Sequence, residues 1–316
     1  MRKSLLLITL LFLASQKTQT QSFSVAGAFA RMGFGARGMG MGNAMTSVIN
    51  GELNTYYNPA LSSFSQSRTA AATFSILSLD RHLNFLSYTQ AIKPTAGLSA
   101  GLINAGVGNI DGRDDDGIHT ENYSTFENQF YLSFSNRVHE DVSIGITIKL
   151  YYSKLFDQVK STTVGFDVGT IIHIIDGLTG GIVIQDLGSK YLWDTKAIYP
   201  DPLGKTTTDK FPTLKRIGLS YYFEKIGGTI SAEYENSSTH SNLLRFGAEY
   251  AILEYFQIRG GVDRIGLEEN FTGAKPSFGF TLDKAINGWK PAISYSFIFE
   301  SFAPHGMHII TLSTKF

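Results

Sequence analysis

Cysteine is absent from all 316 residues. That removes disulfides, thiolate metal ligands, a thiol nucleophile and the lipid-bearing cysteine of a lipoprotein. No apolar stretch reaches 18 residues, so no helix of this chain is expected to span a bilayer. Charge of one sign is also missing, because 27 Lys and Arg stand against 27 Asp and Glu. Without a basic excess, no nucleic-acid partner is expected.

The signatures of catalysis are missing too. There is no H-E-x-x-H and no G-x-S-x-G, and His82, His119, His139, His173, His240, His305 and His308 are scattered without metal-ligand spacing. No cofactor, no metal and no enzymatic activity are expected. D-G-R-D-D-D-G at 111–117 sets Asp114, Asp115 and Asp116 side by side but lacks the ligand spacing of an EF-hand, so a solvated acidic loop is expected. Gly33, Gly35 and Gly38 match G-x-G-x-x-G with Glu52 downstream. A dinucleotide site needs a strand before that motif and a helix after it, and this context is not there.

What is present begins at the N-terminus, where Arg2 and Lys3 precede an apolar run over residues 5–14 and then a polar stretch of Gln, Thr and Ser. This is the pattern of a secretory signal peptide, assigned to residues 1–20, with cleavage expected either after Thr20, which puts Thr18 and Thr20 at the −3 and −1 positions, or nearer Ala14. Residues 1–20 hold Arg2, Lys3 and Lys17, so their removal leaves 24 basic side chains against 27 acidic ones.

The mature chain is rich in residues that favour strands over helices, with 23 Phe and 15 Tyr beside 32 Gly. Side chains of a strand point alternately to its two faces. Val142, Ile144, Ile146, Ile148, Leu150 and Tyr152 share one face, with Ser143, Gly145, Thr147, Lys149 and Tyr151 opposite. The same period of two recurs through 217–223, 244–250, 256–263 and 277–282. Fourteen strands are predicted, near 68–78, 82–91, 95–107, 125–135, 142–154, 162–173, 178–187, 211–223, 228–235, 242–252, 256–264, 275–283, 289–299 and 306–316. Alternate connections differ: 108–124, 188–210 and 265–274 are long and polar, whereas 92–94, 136–141, 174–177, 224–227 and 253–255 are tight. An even strand number with long loops on one rim and short turns on the other predicts an all-β fold, a fourteen-stranded antiparallel transmembrane β-barrel over residues 68–316.

A charge on the lipid side of such a barrel costs roughly 2–4 kcal/mol near the midplane. Lys149, Asp167, Arg216, Glu233, Arg245, Glu249, Arg259 and Asp263 all fall on the face opposite the apolar residues, and are predicted to line the lumen as internal ion pairs. In the third strand, Gly97, Gly101 and Gly106 predict either a kink that opens a lateral exit or close packing of an internal segment. The last ten residues form one more alternating strand ending on Phe316, which resembles the closing strand of a bacterial outer-membrane barrel. It is expected to pair with the strand at 68–78 and so remove both open edges.

Residues 21–67 do not alternate. They carry G-A-R-G-M-G-M-G-N-A-M-T-S-V at 35–48 and Y-Y-N-P-A-L at 56–61. Their glycines permit close backbone packing, and Asn58-Pro59 favours a turn, so a compact plug inside the barrel is predicted. Arg31 and Arg37 are expected to pair with lumen carboxylates such as Glu233 or Glu249.

These N-terminal motifs, with V-G-F-D-V-G at 164–169, I-Q-D-L-G-S at 184–189, F-P-T-L-K-R-I-G-L-S-Y at 211–221 and R-F-G-A-E-Y at 245–250, resemble the PorV/PorQ family of FadL-like outer-membrane proteins. The resemblance covers nearly the whole mature chain. It implies a fourteen-stranded barrel with an N-terminal hatch, in which Gly35, Arg37, Gly38, Gly40 and Gly42 belong to the motif and Asn58, Pro59 and Ala60 match its Asn-Pro-Ala element. It also implies a location in the outer membrane against lipid, and one of two activities: passage of a hydrophobic small molecule by a monomer, or service to type IX secretion by binding secretion-system and exported proteins.

Overall fold

The computed structural model describes residues 26–199, 202–239, 241–267, 273–301 and 303–316. The expected signal peptide and residues 21–25 lie outside that set, as do residues 268–272 of the loop at 265–274.

Fourteen strands close into an antiparallel barrel. They are β1 (Thr69–Ile76), β2 (Arg81–Ile92), β3 (Ala96–Arg113), β4 (His119–His139), β5 (Val142–Phe156), β6 (Val159–Ile175), β7 (Leu178–Leu187), β10 (Leu214–Phe223), β11 (Gly228–Ser237), β12 (Asn242–Leu253), β13 (Phe256–Gly266), β14 (Lys275–Asp283), β15 (Lys290–Ile298) and β16 (Met307–Lys315). Between β7 and β10 the chain makes a separate hairpin of β8 (Lys190–Asp194) and β9 (Thr206–Lys210). The barrel closes where β1 pairs with β16, from Thr69 opposite Lys315 to Ile76 opposite His308. Each strand of the barrel therefore has two partners, and no edge is left to pair with another chain.

Alternation explains which side faces where. On β5, Ser143, Thr147, Lys149 and Tyr151 are buried inside, while Ile144, Ile146, Ile148 and Leu150 point out and are about half exposed. Phe74, Leu86, Phe130, Leu132, Phe134, Val164, Phe166, Val168, Leu219, Phe246, Phe278 and Leu312 continue this outward band around the barrel. So large a contiguous apolar surface is far beyond what a water-soluble monomer exposes, and it suits hydrocarbon.

Two predicted loops are corrected by the structure. Residues 108–124 are mostly strand, because β3 and β4 run on to a turn at 114–118. Their side chains there are largely exposed on both faces, so backbone hydrogen bonds extend the hairpin where no apolar alternation advertises it. Residues 188–210 contain the β8–β9 hairpin, which turns Tyr191 and Trp193 inward.

The glycines of β3 do not mark a break. β3 keeps unbroken register with β2 and β4 from Ala96 to Val107, and its irregularities lie between Val107 and Arg113. A Cβ at Gly97 would overlap the Ser62 carbonyl, one at Gly101 the Tyr131 ring, and one at Gly106 the Thr125 carbonyl. Close approach accounts for the absence of a side chain at these three positions.

Residues 26–67 lie inside the barrel. A 3-10 turn at Ala28–Arg31 leads to a one-turn helix α1 (Ala36–Gly40), and a second 3-10 turn at Pro59–Phe64 leads to β1. Asn58 caps the latter: its side chain accepts from the Ala60 amide at 3.0 Å, and Pro59 needs no donor at the first position. Ala36, Met41, Ala60 and Leu61 are fully buried.

Candidate functional site

The inner segment is held to the wall by hydroxyls and by missing side chains. Around α1, the Ala36 amide donates to Thr311 Oγ1 at 2.8 Å, Ser296 Oγ donates to the Ala36 carbonyl at 2.5 Å, and Ser277 Oγ donates to the Gly40 carbonyl at 3.1 Å. Across the barrel, Ser62 and Ser135 share a hydrogen bond at 2.6 Å and Ser63 and Ser143 one at 2.8 Å. Asn58 Nδ2 donates to the Thr46 carbonyl at 2.9 Å and to the Thr170 carbonyl at 3.1 Å. Backbone meets backbone at several places, Gly145 and Gly42 among them. A Cβ on Gly145 would lie 2.5 Å from the Ala60 amide, and Gly42, at φ 59°, comes so near β12 and β13 that its own Cβ would sit 2.6 Å from Val262 N.

The remaining motif glycines are also packed against neighbours. A Cβ at Gly38 would lie 2.5 Å from the Tyr57 hydroxyl, one at Gly40 would overlap Ser296 Oγ, and Gly35, at φ 77°, precedes α1. At Gly169 a side chain would overlap the Asn58 carboxamide. Gly169→Val is therefore expected to displace the Asn58–Pro59–Ala60 turn and destabilise the protein by about 1–3 kcal/mol, the usual cost of overpacking. The temperature at which gel mobility becomes that of the unfolded chain would fall. Gly108→Ala, with open space around the new methyl, should leave that temperature unchanged.

Inside the wall lies a lattice of charges. Arg245 donates to three carboxylates: Glu233 at 3.0 Å, Glu235 at 3.0 Å and Asp263 at 2.6 Å. Arg216 meets Glu235 at 2.5 Å. The inner segment joins this lattice, since Asn43 Nδ2 donates to Asp263 at 2.9 Å and the Thr46 amide to Glu233 at 3.1 Å. Arg37 spends its fork on both sides: it meets Glu249 at 2.7 Å and donates to the carbonyls of Asn50 and Glu52 at 2.8 and 2.7 Å. Arg259 reaches the same Glu249 at 3.0 Å. Lys149 stands between Asp167 and Asp186, 2.8 Å from each. The structure thus places all eight predicted lumen charges on the inward face, each ion-paired, and joins Arg37 to Glu249. Arg31 donates to the Ala26 carbonyl at 3.5 Å.

Two carboxylates of the lattice, Glu235 and Asp186, were not among the predicted charges. Glu235 had a signal, because it is two residues from Glu233 on the same strand. Asp186 had none: it sits at φ 62° where the β6–β7 register shifts, so Gln185 and Asp186 both point inward and the period of two fails.

An aromatic cluster lies beside Lys149. Phe29, Phe34 and Tyr56 from the inner segment pack with Phe85, Tyr131 and Tyr151 from the wall, and Phe211, Tyr191 and Trp193 join from the chain around the hairpin. Phe34 and Phe85 lie 5.3 Å apart, Tyr56 and Tyr131 5.9 Å, and Tyr151 and Phe211 4.8 Å. Tyr191 also donates to Glu127 at 3.0 Å and Leu192 N to Ser161 Oγ at 2.9 Å, which ties the hairpin to the inner face of β4 and β6. The site is apolar and ring-lined, without any grouping of His, Asp or Glu among the described residues that would hold a metal.

Solved structures share this architecture. The Pseudomonas putida toluene transporter TodX superposes with a TM-score of 0.65 at 14% identity, covering 94% of this chain and 99% of TodX. This is the fold of the FadL-like channels. The monoaromatic hydrocarbon channel CymD gives 0.61 at 14% identity over 90% of this chain and 97% of its own. A FadL homologue from Pseudomonas aeruginosa gives 0.57 at 12% identity over 88% and 97%. No protein-family model matches the sequence, and no curated protein sequence does.

Proposed function

We propose that this protein is an outer-membrane channel that admits a hydrophobic small molecule, acting as a monomer, with residues 26–67 as a hatch across its bore. The observation that carries this is the ring-lined cluster of Phe34, Tyr56, Phe85, Tyr131 and Tyr151 inside the barrel, whose inward charges are drawn off into ion pairs with one another. Rings of this kind favour an apolar solute over an ion. The fold shared with a toluene transporter and a monoaromatic hydrocarbon channel supports the same reading. Arg37, Asn43 and Asn58 are the latches of the hatch, since each joins it to the wall through a buried polar group. Gly35, Gly38, Gly40 and Gly42 let it fold tightly enough to fit.

Membership of the PorV/PorQ family, with a role in type IX secretion, is the second reading. It is favoured by the order and spacing of the hatch and wall motifs. Against it, the β8–β9 hairpin spends Tyr191 and Trp193 on the interior and not on a partner.

Uptake of radiolabelled toluene decides between them. Cells deficient in their own hydrophobic channels should take it up several-fold faster when they produce this protein than with an empty vector. Equal rates would contradict the channel, and exported proteins stranded in the periplasm when the gene is removed would point to secretion.

A further inference from the structure

Gln129 lies on β4 and faces inward, with Ile103 of β3 and Tyr151 of β5 as its register partners. Its side chain is wholly buried, and neither Oε1 nor Nε2 has a hydrogen-bond partner. On the same strand Glu127 accepts from Tyr191 and Ser133 bonds Thr147 at 2.7 Å, whereas the Tyr131 hydroxyl, two residues from Gln129 on the same face, also has no hydrogen-bond partner. A buried amide with both ends unpaired is costly, and a leucine would fill the same space without that cost. An amide held there, in the midst of the aromatic cluster, has the chemistry of a ligand anchor.

What it anchors follows from the chemistry of the amide and its neighbours. Lys149 is already shared by Asp167 and Asp186, and Glu127 stands two residues from Gln129 on the same face. Arg31 lies within electrostatic range of Glu127, Asp186, Glu235 and Arg264. With acids and bases mixed in this way, the amide itself decides: an anionic head would accept from Nε2 but leave Oε1 without a donor. An amide offers one donor and one acceptor, which a hydroxyl satisfies at once by accepting from Nε2 and donating to Oε1. The rings around it favour a flat partner packed edge to face.

Resting on the channel reading, we infer that the cluster around Gln129 is a binding site for an uncharged aromatic bearing a hydroxyl, a phenol, and that Gln129 makes the channel prefer it to the corresponding hydrocarbon.

The test compares uptake of p-cresol, p-xylene and p-toluate, which share a methylated ring and differ in one group, by cells producing wild type or Gln129→Leu, with empty-vector rates subtracted. Wild type should favour p-cresol over p-xylene by roughly three- to tenfold, the range a single hydrogen bond supplies, with p-toluate slowest. In Q129L the cresol-to-xylene ratio should fall to about one. Heat-modifiable mobility should show Q129L folded and at least as resistant to heat as wild type, because an unpaired amide has been removed. A wild-type ratio near one, with both rates above vector, would overturn the inference and leave the channel standing, with water as the partner of Gln129. So would an unchanged ratio in Q129L or a preference for p-toluate. Should Q129L fail to fold, the wild-type ratio alone still decides. No uptake of any probe above vector would bring down the channel reading itself.

Discussion

Arg245→Met is expected to lower the stability of the barrel by about 3–5 kcal/mol, the cost of breaking a buried pair by removing one partner. Arg245 is 3% exposed and is the shared donor to Glu233, Glu235 and Asp263, so its loss leaves three buried carboxylates with Arg216 as the main nearby cation. Methionine fits the volume but supplies no donor. The damage should reach the inner segment as well, because Asn43 binds Asp263 and the Thr46 amide binds Glu233. Urea unfolding of the folded protein in lipid, followed by its Trp fluorescence, measures the change. Arg113→Met makes the comparison: its partner Asp111 is exposed, as Arg113 is, and pairs of that kind contribute under about 1 kcal/mol. Similar losses for the two variants would mean that the inner lattice carries no special weight.

Deleting residues 22–45 should turn a closed barrel into an open one. The deletion removes α1, Arg37 and Asn43, which hold the inner segment to β12, β13 and β14–β16. It leaves all fourteen wall strands and the closing register of β1 with β16 untouched. Insertion should survive because lipid meets only the outer face, and the outer face is unchanged. Glu249 keeps Arg259, and Asp263 keeps Arg245, so water entering the vacated space meets charges that remain paired.

The barrel was largely legible in the sequence because one rule, alternation against two different solvents, operates along every wall strand. Val142 to Tyr152 shows it without exception, and the inward charges follow from it at no further cost in information. The rule fails where the chain leaves that setting. Asp186 escapes it because a left-handed residue at the register shift turns two neighbours inward. Residues 108–113 and 119–124 escape it because their side chains are largely exposed on both faces, and backbone hydrogen bonding keeps them extended. Tyr191 and Trp193 lie in a hairpin that pairs only with itself, and nothing local shows that Lys190–Asp194 folds over the bore. Gly97 could be read as a kink or as a contact, and the choice depended on Ser62, which is remote in sequence. The aromatic cluster is the extreme case. Phe34, Phe85, Tyr131 and Tyr151 come from the inner segment and three separate strands, and only the closed barrel brings them together.

Conductance in planar bilayers tests the central claim, that residues 26–67 close a membrane-spanning barrel, more directly than any transport assay. The intact protein should insert and stay silent, and the protein lacking residues 22–45 should insert and show steady, large conductance steps. A deleted protein that inserts yet remains silent, or an intact one that conducts as well, would contradict it.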